Sequence, residues 1–273
     1  MGTALVIEND PTNDARRLGD WLTDAGLTLR VLRPYAGEEL PETLAGYTAL
    51  VVLGGDQTAY PDERGEPGAP WFAALESLLR KAVRHRVPTL AICLGGQLLA
   101  TAHGGLVERS PAGPEVGPAL VARRDVADRD PLFARVPFAP DVFQWHADEI
   151  TELPLGAVLL AASTHYPHQA FRLGPCAWGT QFHIEVDPAM VARWAVDAGD
   201  LLADLGYEPE ALVEAAAGVM ADLEDAWQPF AWRFAALALG ELPDTLGVPS
   251  GHTHPAGPDG GHAPPRQLPL LGQ

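Results

Sequence analysis

A chain of 273 residues, 47% hydrophobic and 20% charged, can bury the core of one large α/β domain or two small ones. Its 36 acidic residues against 18 basic ones give a formal charge of −18. That balance argues against binding nucleic acid or docking on anionic lipid, because both are driven by cationic side chains. No apolar run is long enough for a bilayer span, and the opening MGTALVIEND lacks the basic leader and apolar region of a signal peptide. Two cysteines make no disulfide framework, so a reducing, cytoplasmic setting is expected.

In chain order, Ala4 to Ile7 reads as a first strand. Asn9, Asp10 and Pro11 turn the chain, and Asn13 or Asp14 is expected to cap a helix reaching Ala25, with Leu18, Trp21 and Leu22 inward. Leu27 to Leu32 is a second strand. Tyr47 to Leu53 is a third, apolar on both faces as suits a parallel strand covered by helices. Strands alternating with helices over short links predict a doubly wound, mostly parallel sheet, whose ligands bind beyond the carboxyl ends of the strands.

At such an end stand Gly54 and Gly55, which let a backbone approach a ligand closely. A long polar loop follows, of the kind that carries function on a rigid scaffold. As an oxyanion-binding loop it would lend the Gly55 N–H to a developing charge. Trp71 to Arg86 is an amphipathic helix.

Val87 to Ile92 is a short buried strand, Gly95 and Gly96 follow, and Gln97 to His103 reads as a helix. Cys93 therefore falls on a sharp strand-to-helix turn. Small neighbours permit such a turn, and the new helix aims its free N–H groups and positive dipole end at the sulfur, which favours a thiolate. The competing reading is a small buried hydrophobe.

Residues 105 to 180 hold shorter, alternating runs and many prolines. Strands are expected at 106–108, 120–122, 142–145, 158–162, 170–172 and 176–182, some of them antiparallel. His146, within FQWHADEI, reads as structural when taken alone. In GTQFHIEVDP, His183 and Glu185 stand two apart, so in extended chain they share a face. A carboxylate beside an imidazole fixes its tautomer and supports its protonated form. The pattern also begins the zinc deaminase signature, but no cysteine follows Cys176 to complete it, so no metal is expected. Residues 189 to about 240 are helical, their apolar stripes read as packing or partner surface. From Pro243 a Pro/Gly/His-rich tail is expected to be disordered, and its His252 and His254 make a poor metal site.

The LGG loop, CLGGQ, FQWHADE and QFHIE, in that chain order, resemble the class I (triad-type) glutamine amidotransferases, in particular stand-alone proteins similar to the amidotransferase domain of GMP synthase. The resemblance runs from the first strand to about residue 190. It implies a flavodoxin-like amidotransferase domain over 1–190, with a helical extension over 191–242 packed on it and the tail over 243–273.

It further implies that Cys93 attacks the side-chain amide of glutamine, that His183 relays protons and that Glu185 orients His183. The N–H groups of Gly55 and Leu94 would form the oxyanion hole, and Gly54, Gln97, Ala170 and Phe171 would lie along the substrate. No cofactor is implied. Ammonia would be expected to pass to a separate synthase or transferase, since nothing in the sequence looks like an ATP-pyrophosphatase or other acceptor domain and it carries no P-loop string; self-association is left open.

The sequence departs from the family pattern in four places. Ile184 stands where proline is usual, His168 where asparagine is common and Gly96 where histidine or alanine is frequent, and the 59–70 loop is long and acidic. A γ-glutamyl peptide or conjugate hydrolase with the same three residues, and a non-catalytic binding member, are the alternatives.

Overall fold

The computed structural model describes residues 2–242; the segment expected to be a disordered tail lies outside them. Eight strands form the main sheet in the order β2-β1-β3-β4-β12-β11-β10-β7. Five of them are parallel: β1 (Gly2–Ile7), β2 (Leu27–Leu32), β3 (Ala49–Val52), β4 (Thr89–Ile92) and β12 (Ala177–Thr180). The edge beyond β12 is antiparallel, built from β11 (Ala170–Leu173), β10 (Val158–Ala162) and β7 (Ala122–Arg123). Every residue of β3, β4 and β12 is buried, the consequence of apolar runs covered on both faces.

Two helix layers supply that cover. On one face Leu5, Ile7, Val52 and Ala91 pack with α2 (Phe72–Arg84) and α3 (Leu94–Thr101). On the other, Val6, Val51, Leu90 and Ile92 pack with α1 (Arg16–Asp24), α4 (Pro188–Asp197) and α6 (Pro209–Ala238). The doubly wound sheet with an antiparallel edge is the architecture the sequence predicts.

The structure corrects the reading in several places. Alpha-helix α1 has Ala15 as N-cap and no side-chain cap. Asn13 and Asp14 are engaged elsewhere, Asn13 donating to Asp10 and Asp14 accepting from Arg16 and Arg193. Alpha-helix α3 begins at Leu94, directly after the cysteine, rather than at Gln97. Two ribbons were missed in whole or part: β5 (Leu106–Arg109) with β9 (Asp148–Glu152), and β6 (Glu115–Leu120) with β8 (Asp141–His146). Gly117 and Pro118 disguise β6, and β9, DEITE, is too polar to read as a strand. The helical stretch after 188 is three helices, with the short α5 (Gly199–Leu205) between α4 and α6. Among the described residues no helix is long and apolar enough to cross a membrane.

Candidate active site

Cys93 sits between β4 and α3 with φ +50° and ψ −112°. A non-glycine residue rarely tolerates that backbone, and such strain clusters where function demands a particular presentation. Its neighbours show why they are small. A Cβ on Gly95 would collide with the Val52 carbonyl of β3, and one on Gly96 would lie 2.7 Å from the Thr180 carbonyl of β12. The elbow is thus wedged between two strands, and a hydrogen bond from Cys93 N–H to the Thr180 carbonyl (2.8 Å) pins it. The cysteine is 7% exposed, its sulfur 3.9 Å from the Trp145 carbonyl and 3.7 Å from the Gln181 amide nitrogen.

The strand that flanks the elbow also delivers the histidine. Beyond the end of β12, His183 pairs with Phe143 of β8 through backbone hydrogen bonds in both directions. His183 Nδ1 lies 2.7 Å from Glu185 Oε1, and Glu185 Oε2 accepts the Ile184 N–H at 2.9 Å. A carboxylate only accepts, so Nδ1 carries the hydrogen and Nε2 is the atom left to act. Nε2 is buried and has no hydrogen-bond partner among the described residues. Burial disfavours a charged imidazole here, yet the Glu185 carboxylate and the Cys93 sulfur outweigh it and push His183 up to about 10. Cys93 and His183 are therefore coupled, although no hydrogen bond closes between them. Catalytic hydrogen bonds are often open before substrate arrives.

Above the sulfur opens a cleft of about 320 Å³, lined by Cys93 and Gln97 and, among others, Gly55, Trp145, Asp148 and Trp194. The Gly55 N–H has no hydrogen-bond partner among the described residues. Leu94 is the first residue of α3, so its N–H has no intrahelical acceptor. Gly54 backs onto the histidine: a Cβ there would stand 3.1 Å from His183 Cε1. Gln97 is buried in the cleft wall and donates to Gln181 at 3.2 Å. Ala170 and Phe171 do not line the cleft. Both side chains are buried in β11, where the Phe171 ring fills the space beside Gly179. His168, the other departure on that side, has Nδ1 2.6 Å from the Ile150 carbonyl.

Several cleft residues escaped the sequence reading. His146, read as structural, is buried in the wall with Nε2 2.9 Å from Gln144 Oε1 and 3.3 Å from Glu115 Oε2. Burial pushes it below its ordinary value despite Glu115. Burial with the carboxylates of Asp10 and Asp197 raises Asp56. Burial also raises Asp148, against the pull of Tyr60 and Arg109. Trp194, Asp197, Ala198, Leu201 and Leu202, from helices read as packing, close one side of the cleft. No motif marks them, because only the tertiary fold brings α4 and α5 across the site. Among the described residues no group of three or more His, Cys, Asp or Glu is placed to hold a metal.

A doubly wound sheet with a cysteine on a strained strand–helix elbow and a carboxylate-steered histidine coupled to it defines a recognisable class of α/β protein. Residues 17–191 match the family model "Glutamine amidotransferase class-I", and the chain belongs to that family. It is 35% identical over 167 residues to the glutamine amidotransferase-like protein YfeJ of Salmonella typhimurium, covering 60% of this chain and 68% of that one. Identity is 30% over 153 residues to a glutamine-hydrolysing GMP synthase of Christiangramia forsetii, 56% of this chain but only 27% of that protein. Gamma-glutamyl peptidase 4 of Arabidopsis thaliana is 31% identical over 139 residues, 50% of this chain and 53% of the relative. Among solved structures, a glutamine amidotransferase from Thermotoga maritima superposes with a TM-score of 0.76 at 29% identity, over 86% of this chain and 98% of the other.

Proposed function

We propose that this chain hydrolyses the side-chain amide of glutamine through a thioester on Cys93. The observation that carries the reading is a cysteine on a strained elbow, pinned to Thr180 three residues before a buried histidine whose Nδ1 is held by Glu185. The Cys93 thiolate attacks the amide carbon, and the carbonyl oxygen becomes an oxyanion facing the N–H groups of Gly55 and Leu94. The protonated His183 gives its Nε2 proton to the departing nitrogen, ammonia leaves, and a γ-glutamyl thioester remains. Neutral His183 then takes a proton from water, the hydroxide attacks the thioester, and glutamate is released as the proton returns to the Cys93–His183 pair. Glu185 keeps the imidazole in the required tautomer throughout. Gly54 permits the close packing behind His183, and Gln97 takes the amino-acid end of the substrate.

The ammonia acceptor is a separate synthase or transferase. The match to an amidotransferase part, 27% of the length of a glutamine-hydrolysing GMP synthase, supports this. The match to a γ-glutamyl peptidase favours a second reading, in which the same machinery cleaves γ-glutamyl peptides. Ammonia release from glutamine is the test. The wild type is expected to produce it and Cys93→Ala to lose it, and undiminished release by Cys93→Ala sinks the reading. Faster turnover of γ-glutamyl dipeptides than of glutamine selects the second.

A further inference from the structure

Trp194 lies beyond the last residue that matches the family model, yet it packs against the histidine on which the proposed chemistry turns. Its ring centroid is 4.8 Å from that of His183, with the planes at 61°. The indole is itself held from other sides. Trp145 stacks obliquely at 5.4 Å, Phe143 lies at 6.4 Å, and the indole N–H donates to the Thr12 carbonyl at 3.1 Å. Arg193 reaches the same carbonyl at 3.3 Å, so α4 is tied to the β1–α1 loop at the point where Trp194 faces the site. Trp194 is 3% exposed and lines the cleft.

We infer that Trp194 is a positioning residue that seals His183 from water and fixes the ring orientation in which Nε2 serves Cys93. The inference rests on the roles proposed above for those two residues. Glu185 holds one nitrogen of the imidazole, and a single hydrogen bond leaves the ring some freedom to tilt beside the backbone of Gly54. The indole packed against it removes that freedom. Sealing also governs charge. Attraction between His183 and its partners is strong only while water is kept out, and here it exceeds the cost of burial. Admitting water weakens both effects, and the larger one loses more, so the imidazole moves back toward its ordinary value and the thiolate loses its counter-charge. A tryptophan that merely fills space would affect stability and leave this coupling untouched.

The test is iodoacetamide alkylation of Cys93 as a function of pH, read by peptide mass so that Cys176 is counted separately, with thermal unfolding in parallel. Trp194→Phe keeps an aromatic ring, whereas Trp194→Leu and Trp194→Met keep apolar bulk without one, and the pair guards against one failing to fold. The wild type and the Phe variant should share one profile, and the Leu or Met variant should shift its midpoint upward by about one pH unit or more. Superimposable profiles for wild type and a folded Leu or Met variant overturn the inference while leaving the Cys93–His183 pair intact. A wild-type profile matching that of an unassisted thiol overturns the pair itself, and the inference with it.

Discussion

Glu185 meets two hydrogen donors with its two oxygens: His183 Nδ1–H at 2.7 Å and the Ile184 N–H at 2.9 Å. Both side chains are about 1% exposed, so water cannot substitute for either contact. A glutamate is required for this reason, since a carboxylate offers two acceptors where an amide offers one.

Glu185→Gln tests that requirement. The amide must present its NH2 group to one of the two donors, which misorients His183 or leaves a buried N–H unpaired. The expected result is a fall in kcat of about 10²- to 10⁴-fold with KM little changed, measured as steady-state ammonia release from glutamine. An unchanged kcat would show that the carboxylate has no part in the reaction.

His183 also leaves a signature in the pH dependence of stability. In wild type the Cys93 sulfur contributes to raising it, so the clean measurement is made in Cys93→Ala. Glu185 still raises the imidazole there, against the burial that opposes its charge. A folded-state value above the unfolded one gives stability that is complete below 6.5 and is lost as pH rises through the folded value. The Tm of Cys93→Ala should therefore decline across that window. Cys93→Ala combined with Glu185→Gln should show a flatter curve over the same range, and parallel curves would contradict the assignment.

The elbow predicts a graded cost for added methyl groups. In Gly96→Ala the new Cβ stands 2.7 Å from the Thr180 carbonyl and 3.3 Å from that of Ala91. Forced contacts in a packed interior cost roughly 1–3 kcal/mol, which chemical denaturation would read directly. Gly95→Ala meets the Val52 carbonyl more closely still and should cost more. Equal stability of both variants and wild type would mean that the turn relaxes freely, and the account of its strain would be wrong.

The parallel half of the sheet and the elbow were legible because each rests on local pattern. Apolar runs mark buried strands, and Gly95–Gly96 mark the place where a helix must pass close to β3 and β12. The spacing of His183 and Glu185 puts them on one face, but such a pair alone is usually a surface pair, and it was the family resemblance that singled it out. The cleft's far wall was not. His146, Asp56 and Asp148 are ordinary polar residues until the β5–β9 and β6–β8 ribbons and the loop after β3 converge. Trp194 belongs to a helix whose sequence says only that one side is apolar, and its place against His183 follows from the anchoring of α4 on Thr12. A helix cap that looked obvious at Asn13 or Asp14 failed because those side chains serve other contacts.

The most direct measurement is acid quenching of the wild-type protein during turnover of glutamine, followed by mass analysis of the peptide that carries Cys93. A mass increase of one γ-glutamyl group on Cys93, absent without glutamine, is the predicted result. Continued glutamine hydrolysis with the acyl group found on another residue would contradict the account.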